Sequence, residues 1–312
     1  IRLVIILSWL LRKLNQLFCH TIKQNMINEY LPVEPCDLGE GPLWHPKRQS
    51  LFWFDINAFK MFNWHEGKLE TWTFSEPVSA AGWVDEDSLV VASATALIKL
   101  SLSTGNKEIL VLLEDDMPHT RSNDGRADPW GGFWVGTMGL KAELNAGSIY
   151  RFYKGELRKL HQNITIPNSI CFSPDQSFGY FADTRKEKIW KQHLDSETGW
   201  PIDEPIVFVD LEPFGLHPDG SVCDSEGYLW NAQFGASRLA RYNPHGLLDR
   251  VVDLPVSQIT CPAFGGESLN TVFATTAFKG LDSDELIAQP LAGKVFYFQS
   301  EIVGLAEYQV KL

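Results

Sequence analysis

The sequence lacks the devices that staple small or secreted domains together. Its five cysteines are odd in number and no two stand at a C-x-x-C spacing, so neither a disulfide framework nor a structural zinc site is expected. Positive charge is scarce: 27 Lys and Arg against 39 Asp and Glu give a net charge of −12. Such a surface repels phosphate backbones, which argues against a nucleic-acid partner and suits a cation or a neutral polar small molecule. No apolar run approaches the ~20 residues that a membrane-spanning helix needs; residues 3–11 make the strongest, and no membrane partner is expected. Long helical periodicity is scarce from residue 32 onward. H-E-x-x-H, G-x-S-x-G and P-loop motifs are all missing, which removes the chemistries that those motifs carry.

Residues 1–31 are expected to form an extension outside the fold, and residues 32–312 one domain. The start, IRLVIILSWLL, resembles a signal peptide in its Arg2 and short apolar run, but no small-x-small cleavage site follows. A cytoplasmic protein is expected, with export as the alternative. The sequon Asn163-Ile164-Thr165 matters only in a secretory pathway.

What the chain does contain is turn residues and aromatics. With 24 Gly, 17 Pro and 12% aromatic content, it reads as a turn-rich β protein. Short β-branched or aromatic runs, such as 50–56, 88–92, 132–136, 178–182, 228–232 and 271–275, are bounded by Gly, Pro, Asp and Asn. They recur in one grammar. GPLWHPKRQSLFWFDI from Gly41, NDGRADPWGGFWVGTM from Asn123, NSICFSPDQSFGYFADT from Asn168 and DGSVCDSEGYLWNAQFG from Asp219 each run apolar strand, polar turn, aromatic strand. Looser copies begin at Ala80 and Cys261. Six units of roughly 40–50 residues indicate a β-propeller whose blades surround a central channel; a β-sandwich is the alternative.

Four units begin with a polar side chain where the chain enters the innermost strand: Glu40, Asn123, Asn168 and Asp219. In a propeller such positions converge at the mouth of the channel. The other two units begin with Ser79-Ala80 and Cys261-Pro262, which offer no comparable ligand. Two carboxylates and two amide carbonyls make an all-oxygen set suited to one hard divalent cation, Ca²⁺, Mg²⁺ or Mn²⁺. Zn²⁺ usually recruits His or Cys and is the fourth candidate.

The motifs GEGPLW, RSNDG, GTM, IPN and PDG, in that order across about residues 36 to 300, resemble the gluconolactonase, or senescence-marker-protein and regucalcin-like, family. The resemblance implies an all-β, six-bladed β-propeller with a divalent metal at the mouth of the central channel, and hydrolysis of a small-molecule sugar lactone. By resemblance, Glu40, Asn168 and Asp219 are the metal ligands, Asn123 contacts substrate or a bound water, and Arg121 binds substrate. Three positions beyond the Met of GTM, where some members carry a substrate-contacting acid, this chain has Lys141. A cation there favours an oxygen-rich or anionic substrate.

Lactone hydrolysis passes through a tetrahedral oxyanion. A metal polarises the carbonyl, and Asp219 is the candidate for activating water. The alternatives are a phosphotriesterase-like hydrolase on the same propeller and a non-enzymatic calcium-binding protein.

Overall fold

Each of the six units forms its own antiparallel sheet, with strands hydrogen-bonded in the order in which they occur along the chain. The computed structural model describes residues 29–312; the apolar start of the chain lies outside the described residues. Five sheets have four strands and the sixth has three, and together they make a six-bladed β-propeller rather than a sandwich. The innermost strands are Gly39–His45, Val78–Trp83, Thr120–Ala127, Pro167–Phe172, His217–Cys223 and Ile259–Gly265. The aromatic runs read from the sequence are the second strands, among them Ser50–Asp55, Phe133–Gly139 and Leu229–Phe234. These bury Trp53, Trp134 and Trp230 almost completely.

The core is a ring of wedges. Phe52, Phe54, Ala81 and Leu89 fill the gap between blades 1 and 2, and Val135 and Phe152 meet Val90 and Leu97 between blades 2 and 3. Four further clusters complete the circle. Every blade is thus held by apolar contact with both neighbours, the non-directional term that dominates folding. Cys36, Cys171, Cys223 and Cys261 are free and buried.

All six innermost strands carry an irregularity near the same level. Between Glu40 and Leu43, Ser122 and Gly125, Asn168 and Cys171, and Pro218 and Ser221, three steps on the inner strand face two on its partner. The strands of blades 2 and 6 slip at Ser79 and Thr260. A bulge adds one residue, bends the strand and re-aims side chains. Gly41 and Ser169 take φ of 55° and 61° inside their bulges. At Gly41 a Cβ would also stand 2.3 Å from the Ser79 carbonyl oxygen, so no larger residue fits there.

Both ends of the described chain bind the ring. Tyr30 bridges to Phe296 on the outermost strand of blade 6, Leu31 N–H donates to Val295 O, and Tyr297 N–H donates to Glu29 O. Residues 29–31, expected to lie in the extension, therefore pair with blade 6. Residues 300–312 cross the opposite end of the channel from the mouth. Gly304 N–H donates to Leu269 O in blade 6, Val310 N–H to Trp83 O in blade 2, and Lys311 N–H to Gly131 O in blade 3. Between these anchors Val310 packs into the wedge of blades 2 and 3.

Two blades share a charged fastening in their first turn. Asp128 accepts N–H groups from Trp130 and Gly132 on Oδ1 and the Arg151 Nε–H at 2.7 Å on Oδ2. Asp224 does the same with Glu226, Tyr228 and Arg241. The Asp128 and Arg151 side chains are wholly buried. Removing one partner of such a pair strands the other charge in a low dielectric and costs ~3–5 kcal/mol. Asp128→Ala is therefore expected to lower stability by about that amount in denaturant titration. A loss below ~1 kcal/mol would show that the pair is dispensable.

Candidate functional site

The bulges bring the four polar strand-start residues together at the channel mouth. Glu40, Asn123, Asn168 and Asp219 are all at least nine-tenths buried, as is Arg121. A chain of hydrogen bonds joins three blades. Arg121 Nη1 donates to Asn123 Oδ1 at 2.9 Å, Asn123 Nδ2 donates to Asn168 Oδ1 at 3.0 Å, and Asn168 Nδ2 donates to Thr184 Oγ1 at 2.7 Å. Thr184 then donates to Pro218 O, beside Asp219, at 2.7 Å. Asp219 O itself accepts from Ser169 Oγ and Asn231 Nδ2, which fixes the backbone that carries the carboxylate.

Glu40 and Asp219 lie within hydrogen-bonding reach of one another. Burial, followed by the neighbouring Asp124 carboxylate, pushes the Glu40 carboxyl up to about 8. Burial and then Glu40 raise Asp219 well above the usual carboxylate range. Burial also raises Asp124, against the N–H groups of Ile170 and Gly125 that bond it. Arg121 is drawn down to about 10 by burial, with Glu40 opposing. Glu40, Asp219 and Asp124 are thus close neighbours, with the Arg121 guanidinium beside Glu40. Two like charges ~4 Å apart repel by ~4 kcal/mol at an effective dielectric of ~20, so such a pair either shares a proton or takes a cation.

The donor chemistry fits a divalent cation. Among the described residues no three His, Cys, Asp or Glu side chains form a metal cluster; the set is two carboxylates plus the Asn168 amide. Asn168 Oδ1 keeps a lone pair beyond the one given to Asn123, and oxygen-only ligation suits hard ions.

Lys141, unlike the members of this cluster, is not buried. It is exposed, just past the end of the strand Phe133–Gly139, and its backbone N–H donates to Glu143 Oε2. His45 is buried, bonded to Asp85 O and Arg48 N as a turn residue, and His217 pairs with Glu187 at the surface. Asp183 caps the turn at Thr184–Lys186 and accepts from Thr165 and Ile166.

Two contributors escaped the sequence reading. Asp124 stands inside the quoted RSNDG motif, but strict alternation would turn it away from the face of Asn123. Only the extra residue of the bulge brings both into the interior. Thr184 ends the quoted repeat NSICFSPDQSFGYFADT and had no signal of its own.

Three comparisons place this chain among known proteins. A family model described as SMP-30/Gluconolactonase/LRE-like region matches residues 38–278. L-arabinolactonase from Azospirillum brasilense is 34% identical over 277 residues, 86% of this chain and 90% of that protein. 6-Deoxy-6-sulfogluconolactonase from Pseudomonas putida is 31% identical over 277 residues, 88% of this chain and 95% of its own. The solved structure of a calcium-binding protein, regucalcin, from Agrobacterium tumefaciens superposes with a TM-score of 0.90 at 38% identity, covering 92% of this chain and 98% of that one.

The raised Glu40 carboxyl gives a signed expectation. Its native value of about 8 lies above the unfolded 4.5, so between those pH values the native state binds more protons than the unfolded state. Its contribution to stability is present below the unfolded value and is lost as pH rises through the folded one. In chelator-treated protein, the Tm difference between Glu40→Gln and wild type should grow in favour of the variant from pH 5 to pH 8. A difference that stays flat or reverses would contradict the crowding of acids at this position.

Proposed function

The chain belongs to the SMP-30/gluconolactonase/LRE-like family, and from that membership we propose that it is a lactonase that opens a sugar lactone to its hydroxy acid with the help of one divalent cation. The observation that carries this reading is the pairing of two buried carboxyls, Glu40 and Asp219, with the Asn168 amide at the mouth of the channel. The lactonases among its relatives support it.

Glu40, Asn168 and Asp219 would hold the ion. When bound, a divalent cation supplies Lewis-acid polarisation of a carbonyl oxygen and keeps nearby carboxylates ionised. Asp219 accepts the proton of the attacking water through its second oxygen. Its main chain, tied by Ser169 and Asn231, keeps that carboxylate from turning away. Water adds to the lactone carbonyl carbon, the ring C–O bond breaks, and the ring oxygen leaves as a hydroxyl carrying a proton.

Arg121 and Asn123 orient the sugar. Arg121 Nη1 is committed to Ser122 O and Asn123 Oδ1, so the remaining N–H groups of the guanidinium serve substrate oxygens. Discrimination built on such donors is sharp, because a substrate lacking the matching hydroxyl leaves them unpaired. Lys141, on the 140–146 loop, extends the positive character of the rim toward anionic or oxygen-rich lactones. A neutral or acidic sugar suits this lining better than an apolar phosphotriester.

The test is hydrolysis of a panel of aldonolactones by chelator-treated protein, with Ca²⁺, Mg²⁺, Mn²⁺ or Zn²⁺ restored singly and spontaneous opening subtracted. Activity should return with at least one ion, and Asp219→Asn should lower kcat by ~10²-fold or more in protein that remains folded. Near-normal turnover of that variant would remove Asp219 as the base. Tight ion binding with no lactone opened would favour the calcium-binding reading, which the likeness to regucalcin supports.

A further inference from the structure

Below the mouth, the channel is crossed by one guanidinium. Arg126 stands three residues after Asn123 on the innermost strand of blade 3 and is 8% exposed. Its Nε–H donates to Ile170 O at 3.1 Å, its Nη2 donates to Ser221 O at 3.3 Å, and its Nη1 donates to the Glu307 carboxylate. Ile170 and Ser221 each lie two residues beyond a proposed ligand, Asn168 and Asp219, on the innermost strands of blades 4 and 5. Ile170 sits inside its bulge and gives its N–H to Asp124 Oδ2 at 2.8 Å. Both ends of that residue's backbone are therefore gripped from blade 3, by Asp124 on one side and Arg126 on the other.

Glu307 comes from the crossing tail, 181 residues away in sequence. It is 9% exposed, and its carbonyl oxygen accepts the Trp83 Nε1–H at 2.8 Å. It is the partner in the one ion pair that Arg126 makes among the described residues. Asp124, two residues away on the same strand, is the next carboxylate that a freed guanidinium meets.

We propose that Arg126 and Glu307 are positioning residues for the cation site, a clamp in which the C-terminal tail holds a guanidinium that sets the spacing of Asn168 and Asp219. The inference rests on the proposed ligand set. Without the Glu307 charge, Arg126 turns to Asp124 and draws it from Ile170 N–H. The bulge that presents Asn168 then loses its support. Partners that orient metal ligands without touching the ion typically govern ~10–100-fold of affinity.

The experiment is titration of chelator-treated protein with Mn²⁺ alone, read by the free-ion electron paramagnetic resonance signal, alongside thermal melts. Glu307→Gln is expected to weaken Mn²⁺ binding about tenfold or more. Arg126→Lys keeps a cation for Glu307 but cannot span two carbonyls, and it should weaken binding similarly. Trp83→Phe removes a different anchor of the tail. It should lower Tm while leaving Mn²⁺ affinity within twofold of wild type.

A lowered Tm with unchanged Mn²⁺ affinity in Glu307→Gln would overturn the clamp and leave a merely structural ion pair. Should that variant not fold, unchanged affinity in Arg126→Lys overturns it equally. Wild-type protein that takes up no Mn²⁺ in this titration, and regains no hydrolysis with any of the four candidate ions, would instead sink the metal reading, and the clamp with it.

Discussion

The molecule is organised around a repulsion. Glu40 and Asp219 are brought out of water and against one another on the axis, with Asp124 close behind. Nothing in an apolar interior favours that arrangement; burial alone penalises each charge. It persists because the ring of wedges, the tail and the hydrogen-bonded amides of Asn123 and Asn168 over-determine the positions of the strands that carry the acids. A scaffold that spends stability in this way creates a strong demand for positive charge at one point. That demand is what supports the proposed cation site.

The propeller meets a geometric problem in doing so. Side chains on a regular strand alternate faces, so a strand cannot turn several consecutive residues toward the axis. The bulge in each innermost strand breaks the alternation at the level of the proposed site residues. It frees Asn123 and Asp124 to serve one interior together and leaves backbone groups of Ile170 for Asp124 and Arg126. Blades 2 and 6 keep the bulge without a proposed site residue. There Ser79 bonds Ser122 and Thr260 bonds Gly39 O, so the same device becomes a joint between neighbouring blades.

Much of this was legible in the residues. The repeating strand–turn–strand grammar located the six blades, because each repeat must bury one apolar face against the next. The polar residues at the strand starts were visible because Glu40, Asn168 and Asp219 recur at the same point of the repeat. The outermost strands were not legible: Lys68–Thr73 is exposed along nearly its whole length, so no apolar alternation marks it. Arg126 and Glu307 were beyond reach for a different reason, since nothing in VGLAEYQVKL signals a carboxylate that meets a guanidinium across the channel. Lys141 was singled out from its place after GTM, yet a loop residue carries no pattern that fixes where its ammonium group points.

The closure of blade 6 by residues 29–31 has a consequence in time. Five blades pair strands that are near neighbours along the chain and can assemble as local units. The last sheet joins the first described residues to strands ending at Gln299, so it cannot be completed until synthesis has passed Gln299. Loop-closure entropy grows only logarithmically, ~0.6 kcal/mol per doubling of length, so the delay is not chiefly a cost in stability. It is a kinetic interval in which the Phe296–Gln299 strand is an open edge, available for pairing with other chains. Docking of residues 29–31 ends that interval, making the ring's final seam also its protection against aggregation.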